Sequence, residues 1–536
     1  DLVLLVVDAG EGPKPQTWEH LAVVEQLRIP AGIPVITKAD LVDADWLALL
    51  AEDLAGQLER SPVKFEPPRI VSAVTRQGVP ELLQRLEQLS REDARATTAD
   101  AFRMPVDRAF SVAGVGTVIT GTPWSGTLKV GDEVQLLPGS ISARVRSLEA
   151  YGEPVESVSS GTRAAVGLVG VDRGAVGRGA TLVTGPVRWQ PTGALDVEVE
   201  LLPGAPPLSR RQRVRVHLGT AEVLARAYPM TEAEPERPAT ARLVLESAVV
   251  ARGGDRFVLR SYSPVTTVGG GRVLDPLPPR RSARSWSREL SSESPAERTS
   301  ALLARRAQGL PAADLSLLLG LPDWEAREVA ANLKDVTSAG DILVSRKVTS
   351  ELRAEAVARV ERFHRDAPTE EGISQETLRR ALKAPAPIVE AILDGLVRRG
   401  ELSLVRGHAA IPGFKPASAG TPEEVARVVD LVAGSGLTPP SVSEIEEKLG
   451  IRGALALLRI GVKEGRVVGV ESDRFFSTES LALFAGTVRE LAVNEPVTPA
   501  QVRDRLGLSR KYVVPLLEWA DREGITRRVG DGRVLV

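Results

Sequence analysis

An apolar strand that leads directly into a charged turn occurs at Ile33-Pro34-Val35-Ile36-Thr37-Lys38-Ala39-Asp40. The continuous aliphatic run Leu2–Val7 is a second strand of the same kind, and apolar residues at helical spacing separate the two strands between residues 16 and 27. Strands without polar alternation are typical of a parallel sheet that is buried on both faces. The sequence therefore predicts such a sheet, with Leu2–Val7 as a central strand.

The alternation of helix and strand continues through residue 92. The pattern predicts a helix over 44–58, a strand over 69–71 and a last helix over 80–89. Helices of this length between strands favour βαβ units with right-handed crossovers. Because the chain opens inside a predicted strand, we expect residues 1–92 to be the C-terminal part of an α/β domain.

Short β-rich segments with frequent glycines replace this pattern from about residue 101. Two such blocks, 101–186 and 193–275, predict two β-barrels. Within the first block, the glycines of Gly114–Gly121 mark barrel turns and close strand approach, since no helix follows them. Residues 276–294 are rich in Pro, Arg and Ser, a composition that is typical of a solvated linker.

A degenerate repeat occupies residues 295–536. A leucine-containing turn recurs at Leu319-Gly320-Leu321, Leu382-Lys383-Ala384, Leu449-Gly450-Ile451 and Leu506-Gly507-Leu508. After each turn we predict a helix closed by a glycine and followed by β-rich residues, and these glycines are Gly340, Gly400, Gly465 and Gly524. This order is that of a winged helix-turn-helix. The repeat predicts four winged helices, at 295–348, 351–415, 421–478 and 479–536.

The composition of the 536 residues excludes several kinds of site. The chain has no cysteine, which rules out disulfides, thiolate zinc sites and a cysteine nucleophile. Its four histidines are scattered, so no metal site is expected. A net charge of −2 means that any nucleic-acid surface must be local. No apolar run approaches the roughly 18 to 20 residues that span a bilayer, so we expect no membrane partner.

The turn after Ile36 has the residue types that recognise guanine. The Asp40 carboxylate can accept two parallel hydrogen bonds from guanine N1–H and N2–H₂, which adenine cannot supply. The Lys38 stem can lie across the base, and the Ala73 backbone N–H can reach O6. The candidate guanine-binding residues are Thr37, Lys38, Asp40, Ser72 and Ala73. For the tetrapeptide alone, a capping aspartate beside an exposed lysine is the simpler explanation.

The order Asp8, Pro15–His20, Thr37–Asp40 and Ser72-Ala73 resembles the second half of the GTPase domain of translational GTPases. Thr37 replaces the asparagine of the usual N-K-x-D motif, whose amide ties this loop to the phosphate loop. The chain contains no G-x-x-x-x-G-K-[ST] segment, and it also lacks the D-x-x-G-H segment that holds the family's catalytic histidine. The resemblance implies GTP or GDP with Mg²⁺ in the full-length protein. We expect this chain to be an N-terminally truncated member with no catalytic residue, no GTP hydrolysis and no tight nucleotide binding.

The segment Gly114–Gly121 resembles the second domain of translational GTPases, which holds the aminoacyl end of tRNA. In the selenocysteine-specific elongation factors this pocket has an Asp-Arg pair on the first strand and a later arginine. The matching residues here are Asp107, Arg108 and Arg163. Guanidinium groups favour an ionised selenol over a neutral serine hydroxyl. From these residues alone, an ion pair at the barrel rim is the simpler explanation.

The last repeat carries the pattern R-D-R-L-G-x-x-R-K … G-x-T-R-R, and residues 501–536 contain eight Lys/Arg against five Asp/Glu. Arg510 and Lys511 begin a predicted helix after a Ser509 N-cap, where their charge opposes the helix dipole, so anion binding explains them better than helix stability. The pattern resembles the final winged helix of the selenocysteine-specific elongation factors, which grips the messenger-RNA hairpin that recodes UGA. The candidate hairpin-binding residues are Ser509, Arg510, Lys511, Arg527 and Arg528, with Arg533 also on the predicted wing. A solvated basic face is the alternative.

The resemblance covers essentially the whole chain. It implies a multidomain fold with a partial α/β P-loop-type GTPase domain at 1–92, two β-barrel domains and tandem winged-helix (α+β) domains. The implied function is that of a cytoplasmic, monomeric elongation factor that delivers selenocysteinyl-tRNA to the ribosome at recoded UGA codons, recruited by a selenoprotein mRNA hairpin. Two alternatives stay open: a winged-helix nucleic-acid-binding regulator that binds DNA, and a GTPase-derived scaffold that binds tRNA without a recoding role.

Overall fold

The computed structural model of the chain describes residues 2–92, 99–235, 237–279, 288–306, 308–368, 370–416, 421–493 and 495–536. The chain divides into two compact units, Asp1–Val348 and Thr349–Val536. Residues 280–287 of the linker predicted over 276–294 lie outside the described residues. Within the described part of the chain, no helix is long and apolar enough to cross a membrane.

The first unit begins with a parallel sheet and its helices. Its elements are β1 (Leu2–Asp8), α1 (Pro15–Gln26), β2 (Ala31–Thr37), α2 (Ala44–Leu58), β3 (Lys64–Phe65), β4 (Arg69–Ile70) and α3 (Val79–Glu92). β2 pairs in parallel with β1, β3 and β4, which confirms the predicted parallel sheet. The two-residue strand β3 is an addition that the sequence pattern does not predict.

The prediction that Leu2–Val7 is buried on both faces is wrong. β1 pairs only with β2 and lies at the edge of the described sheet. Leu5 and Val7 pack in the core with α1 and α2, whereas Leu4 and Val6 are 40% and 56% exposed. On the second face, α3 packs against the residues of β2 and does not cover the middle of β1.

Two antiparallel barrels follow, as predicted. The first contains β5 (Arg103–Val112), β6 (Gly116–Gly121), β7 (Thr127–Lys129), β8 (Glu133–Leu137), β9 (Ile141–Ala150), β10 (Glu153–Val155), β11 (Ser157–Ser159), β12 (Ala164–Val169) and β13 (Thr181–Val183). Its sheet has the order β10-β9-β12-β6-β5-β13-β8 and closes because β8 also pairs with β9. The second contains β14 (Pro191–Leu201), β15 (Arg213–Leu218), β16 (Ala221–Pro229), β17 (Ala239–Val250), β18 (Arg256–Ser261) and β19 (Thr267–Asp275), and it is closed in the order β14-β17-β16-β15-β18-β19.

Groups of three helices, each followed by a β-hairpin, make up the rest of the chain. The first group is α4 (Pro295–Ala304), β20 (Leu310–Pro311), α5 (Leu315–Leu319), α6 (Asp323–Asn332), β21 (Val336–Ala339) and β22 (Ile342–Ser345). The next is α7 (Arg346–Asp366), β23 (Ile373–Ser374), α8 (Gln375–Ala381), α9 (Ala386–Arg398), β24 (Ser403–Val405) and β25 (His408–Ala410).

Two further groups complete the second unit. The third winged helix consists of α10 (Pro422–Gly434), α11 (Val442–Leu449), α12 (Ala454–Lys463), β26 (Val467–Gly469) and β27 (Phe475–Ser477). The fourth winged helix consists of α13 (Thr478–Leu491), α14 (Pro499–Leu506), α15 (Arg510–Arg522), β28 (Thr526–Val529) and β29 (Gly532–Leu535).

The prediction that a glycine closes the helix after each turn is correct in three of the four repeats. Gly400, Gly465 and Gly524 follow α9, α12 and α15 with φ of 68°, 71° and 70°. The prediction for Gly340 is wrong, because α6 ends at Asn332 and Gly340 lies in the turn between β21 and β22. Leu333, the residue after α6, has an extended backbone, so no left-handed glycine closes this helix. The left-handed Gly340 occurs later, in the hairpin turn.

Candidate functional sites

The turn after β2 is held to the neighbouring strand by Thr37. Its hydroxyl donates a hydrogen bond to the Val7 carbonyl at 3.2 Å, and its own carbonyl accepts one from the Ala9 amide at 2.9 Å. Thr37 therefore anchors the turn to the end of β1, a role that the sequence could not assign to it. Lys38 follows in a left-handed conformation with φ of 57°.

The ends of β2 and β4 bring Asp40 and Ser72 together. The buried Ser72 hydroxyl donates to Asp40 Oδ1 at 2.5 Å and accepts from the Thr75 amide at 3.1 Å. Asp40 is exposed, and it adjoins an open depression that Trp46 also lines. Ala73 is exposed, and its amide makes no backbone hydrogen bond among the residues that the structure describes. The predicted residues thus lie at one edge of the sheet.

Lys38 has a partner that the sequence analysis did not identify. Its ammonium lies 2.6 Å from Asp8 Oδ2, and the two side chains are 60% and 21% exposed. The hydrogen bond from Lys38 lowers the pKa of the Asp8 carboxyl, and the pairing raises the pKa of Lys38. The pair joins the end of β1 to the turn after β2 and holds the Lys38 ammonium against Asp8.

A β-bulge places Asp107 and Arg108 on the outside of the first barrel. β5 pairs with β6 through Val106↔Gly121 and Arg108↔Thr120, so Asp107 is the extra residue. Val106 is in the core and Ala109 packs against it, which requires both intervening side chains to face outward. Strict alternation along a strand would have turned one of them inward, and the bulge was not predicted from the sequence.

Arg163 joins this pair from the start of β12. Its guanidinium donates to Asp107 Oδ2, and the two side chains are 57% and 26% exposed. Arg108 is exposed. Thr120, its cross-strand neighbour, has a buried hydroxyl without a hydrogen-bond partner in the described residues. The three predicted residues therefore converge on one outer face of the barrel, together with a hydroxyl that the sequence analysis missed.

The beginning of α15 is basic and accessible. The helix begins at Arg510, and the side chains of Arg510 and Lys511 are exposed. The predicted cap is wrong in one respect: Ser509 has the extended backbone of an N-cap, but its hydroxyl accepts no helix amide. The Ser509 carbonyl instead accepts from the amides of Tyr512 and Val513 at 3.0 and 3.2 Å. The Ser509 hydroxyl and the amides of Arg510 and Lys511 are therefore available to an anion.

The three arginines of the wing differ in how far they are exposed. Arg527 and Arg528 are exposed, and neighbouring residues of a strand point to opposite faces, so one face of the hairpin carries only one of them. Arg533 was expected to add charge to this surface, and that expectation is wrong. It is 6% exposed, and its guanidinium donates to Asp521 Oδ2 at 2.9 Å. Arg533 stabilises the wing against α15.

Family models match most of the chain, in the predicted order. The matches are to the elongation factor Tu GTP binding domain over residues 1–92, elongation factor Tu domain 2 over 116–183, the beta-barrel domain of selenocysteine-specific elongation factor over 195–280, and the winged helix of elongation factor SelB over 357–408 and again over 489–535. These matches confirm the predicted fold class: part of a GTPase domain, two barrels and tandem winged helices.

Relatives extend over nearly all of the chain. The selenocysteine-specific elongation factor of Desulfomicrobium baculatum is 31% identical over 99% of this chain and 87% of its own length. That of Escherichia coli strain K12 is 28% identical over 100% of this chain and 86% of its own length. The crystal structure of bacterial selenocysteine-specific elongation factor EF-Sec has the same fold, with a TM-score of 0.65 at 24% identity, covering 100% of this chain and 86% of that one. The chain belongs to the family of selenocysteine-specific elongation factors, which are translational GTPases.

Proposed function

We propose that this protein acts in the GTP-dependent delivery of selenocysteinyl-tRNA to ribosomes at recoded UGA codons, in the cytoplasm. The first barrel holds the selenocysteinyl end of the tRNA, and the fourth winged helix binds a hairpin of the selenoprotein mRNA. The observation that carries the proposal is the exposed, basic and uncapped start of α15 in a chain of this family.

The two last winged helices differ at the corresponding helix start. In the third winged helix, Glu446 Oε1 accepts hydrogen bonds from the amides of Gly453 and Ala454 at 2.8 and 3.0 Å, so a carboxylate already occupies the start of α12. In the fourth winged helix no side chain caps α15, and Arg510 and Lys511 add positive charge. A phosphate is therefore favoured at α15 and disfavoured at α12.

A-form RNA has a deep, narrow major groove, which does not admit a helix. Residues at the tip of α15 and on the wing can instead contact loop bases and backbone phosphates. We assign Arg510 and Lys511 to phosphates, and the Ser509 hydroxyl to a phosphate or a base edge. Arg527, on the outer face of the wing, is the better placed of the two exposed wing arginines, because Arg528 shares its face with the buried Arg533.

The test is binding of the full chain to a selenoprotein mRNA hairpin, a scrambled hairpin and duplex DNA across a salt series. We expect hairpin-selective binding that Arg510→Ala and Lys511→Ala each weaken by about tenfold, since a charge-assisted hydrogen bond contributes roughly 1.5–3 kcal/mol. Arg398→Ala, at the end of α9 in the second winged helix, is the matched control and should bind as the unchanged chain does.

The other outcomes identify the alternatives. Stronger binding to duplex DNA would favour a DNA-binding regulator. Equal, purely salt-dependent binding to all three nucleic acids would reduce the surface to a basic patch and leave the protein a translational GTPase relative without an assigned recoding role.

For the first barrel we propose that Arg108 and Arg163 hold a selenolate, with Asp107 positioning Arg163. The ion pair between Asp107 and Arg163 fixes one guanidinium, whereas Arg108 stays exposed beside Thr120. A selenol is ionised at neutral pH and a serine hydroxyl is not, so the guanidinium groups discriminate between the two aminoacyl groups by charge.

The guanine end of GTP or GDP fits the residues after β2 and β4. The Asp40 carboxylate, whose Oδ1 also accepts from Ser72, would accept from guanine N1–H and N2–H₂, the Ala73 amide would donate to O6, and the Lys38 stem would lie across the base. When bound, GTP with Mg²⁺ would supply the free energy of hydrolysis to the delivery of the tRNA. We assign no residue of this chain to the phosphates or to Mg²⁺, because the sequence has no G-x-x-x-x-G-K-[ST] segment.

A further inference from the structure

An arginine of the third winged helix packs against α15, the helix that carries Lys511. Arg474, in the loop between β26 and β27, has its guanidinium carbon 5.3 Å from the ring centroid of Tyr512. The Lys511 ammonium lies 5.7 Å from the same centroid. Both distances are within the range of a cation–π contact. The Tyr512 ring therefore contacts two cations, one from each winged helix.

Arg474 is too buried to contact a large ligand itself. Its side chain is 7% exposed, and its ion pair with Glu471 is long, at 3.6 Å. Its Nε is buried and has no hydrogen-bond partner within the described residues. An arginine kept inside with so little polar compensation is explained by the aromatic face that it packs on.

The loop that carries Arg474 is fixed from both winged helices. The Val470 amide donates to the Arg474 carbonyl at 3.1 Å, and the Val470 carbonyl accepts from Arg522 Nη2 of α15 at 2.8 Å. Val470 and Phe476 belong to the same apolar core as Leu516 and Leu517 of α15. The guanidinium and the ring it faces are thus held by a shared core, and this contact is not a flexible surface pair.

Lys511 has an acidic neighbour in the third winged helix as well. Hydrogen bonds from Ser441 are the main cause that lowers the pKa of the Glu444 carboxyl, and the nearby charges of Lys511 and Arg474 lower it further. Lys511 is therefore close enough to Glu444 for the two side chains to attract each other.

We propose that Arg474 is a positioning residue for RNA binding: by packing on Tyr512 it orients the first turn of α15 and directs Lys511 to an RNA phosphate. A lysine restrained in this way loses less side-chain entropy when RNA binds. The inference rests on the proposed RNA-binding function. It means that the binding surface is built by two winged helices, although the residues that contact RNA lie on the last one.

The test is a double-mutant cycle on the full 536-residue chain with hairpin and scrambled RNA. We expect Arg474→Gln to weaken binding about three- to tenfold and to reduce the slope of log K against log salt by roughly 0.7 to 0.9, the loss of one phosphate contact. In the Lys511→Ala background the same substitution should change neither quantity. Arg466→Gln, an exposed arginine of the third winged helix that pairs with Asp430, is the matched control and should bind normally.

The proposal is overturned if Arg474→Gln binds like the unchanged chain, or if its effect persists without the Lys511 ammonium. Arg474→Gln is unsuitable as a test if it lowers the hydrogen-exchange protection of α15. In that case Tyr512→Leu is the test variant, because leucine keeps the apolar contact and removes the ring. The leucine variant must then show the same dependence on Lys511, and full additivity would overturn the proposal.

The outcomes also separate this inference from the function on which it rests. Equal binding to hairpin and scrambled RNA would overturn the recoding function, while the coupling between positions 474 and 511 could still be measured on either RNA. Hairpin-selective binding without that coupling would overturn only the role of Arg474. A chain that binds neither RNA would overturn both.

Discussion

At the scale of single residues, the selectivity of the proposed aminoacyl pocket depends on the outward turn of Asp107 and Arg108. The bulge in β5 puts consecutive charged side chains on one face, where Arg163 pairs with Asp107 and leaves Arg108 exposed. An exposed guanidinium beside a buried threonine hydroxyl can bind an anion at little desolvation cost.

We expect Arg108→Gln to reduce the preference for selenocysteinyl-tRNA over seryl-tRNA by about tenfold, since one charge-assisted contact is worth roughly 1.5–3 kcal/mol. Protection of each aminoacyl ester from hydrolysis by the full chain measures this preference. Arg144→Gln, an exposed arginine on β9 of the same barrel, should leave it unchanged. An unchanged preference in Arg108→Gln would remove this residue from the pocket.

A second property of a single residue is the pH dependence of the stability that His364 contributes. Its Nε2 accepts a hydrogen bond from the Ile411 amide at 3.1 Å, and its ring stacks on Phe414. Burial lowers the pKa of His364 below its ordinary value of 6.5. As the pH falls below that value the unfolded chain binds a proton that the fold resists, so stability decreases until the lowered pKa is passed.

We therefore expect the Ile411 amide to lose hydrogen-exchange protection as the pH falls from 7.5 to about 5, after correction for intrinsic rates, because a protonated imidazole cannot accept its hydrogen bond. In His364→Gln the amide oxygen can still accept, and the pH dependence should disappear. The same pH dependence in that variant would show that another group is responsible.

Residue-scale details were the least predictable from the sequence. Arg510 and Lys511 follow a recognisable turn, so their exposed position at a helix start was predicted correctly. The bulge at Asp107 and the pairing of Arg533 with Asp521 depend on strand register and on a partner elsewhere in the chain. Neither has a local sequence pattern, which is why Arg533 was assigned to the wrong surface.

At the scale of elements, a buried network of charges joins α4 to the second barrel. Asp196 and Asp275 are fully buried, and Arg305 donates to both, with Arg305 Nη1 lying 3.1 Å from Asp275 Oδ2. Arg242 also donates to Asp196, and Arg306 to Asp275. Such a network is costly to break, because removing Arg305 takes one of the two compensating charges from each buried carboxylate.

We expect Arg305→Met to lower the opening free energy of α4 and β14 by about 2–3 kcal/mol, less than the roughly 3–5 kcal/mol of a fully unpaired buried charge, because Asp196 keeps Arg242 and Asp275 keeps Arg306. Native-state hydrogen exchange of the amides in these elements measures the change locally. Arg327→Met breaks an exposed pair with Asp323 and should cost less than about 1 kcal/mol. Equal effects of the two substitutions would contradict a special role for the buried network.

Most elements could be predicted because their signals are local. Helical periodicity located α2 at 44–58, and the apolar run located β1. Where a prediction was wrong, tertiary context decided. Gly340 lies in a hairpin turn because α6 ends early, and Leu4 and Val6 are exposed because no described element covers that face of β1. A single sequence does not show how far a neighbouring helix reaches.

At the scale of the whole molecule, the residues that we propose for recognising guanine and those that we propose for binding RNA lie on one chain. The proposed guanine site offers the Asp40 carboxylate and the Ala73 amide, and the sequence contains no G-x-x-x-x-G-K-[ST] segment. We therefore expect the 536-residue chain to bind guanine nucleotides weakly and not to hydrolyse GTP.

Equilibrium dialysis with GDP and GMP, together with a phosphate-release assay, tests this expectation. The two nucleotides should bind with similar, weak affinity, and Asp40→Asn should remove the preference for guanine over adenine nucleotides. Robust GTP turnover by the isolated chain would overturn the assignment, particularly if it were unaffected by the Asp40→Asn substitution.

The central claim is that one chain holds selenocysteinyl-tRNA and an mRNA hairpin at separate sites. The most direct test is native mass spectrometry of the full chain with both RNAs at saturating concentration. The account predicts a complex that contains one copy of each RNA, with the tRNA lost in Arg108→Gln/Arg163→Gln and the hairpin lost in Arg510→Ala/Lys511→Ala. Mutually exclusive binding of the two RNAs, or the loss of both in either double variant, would contradict it.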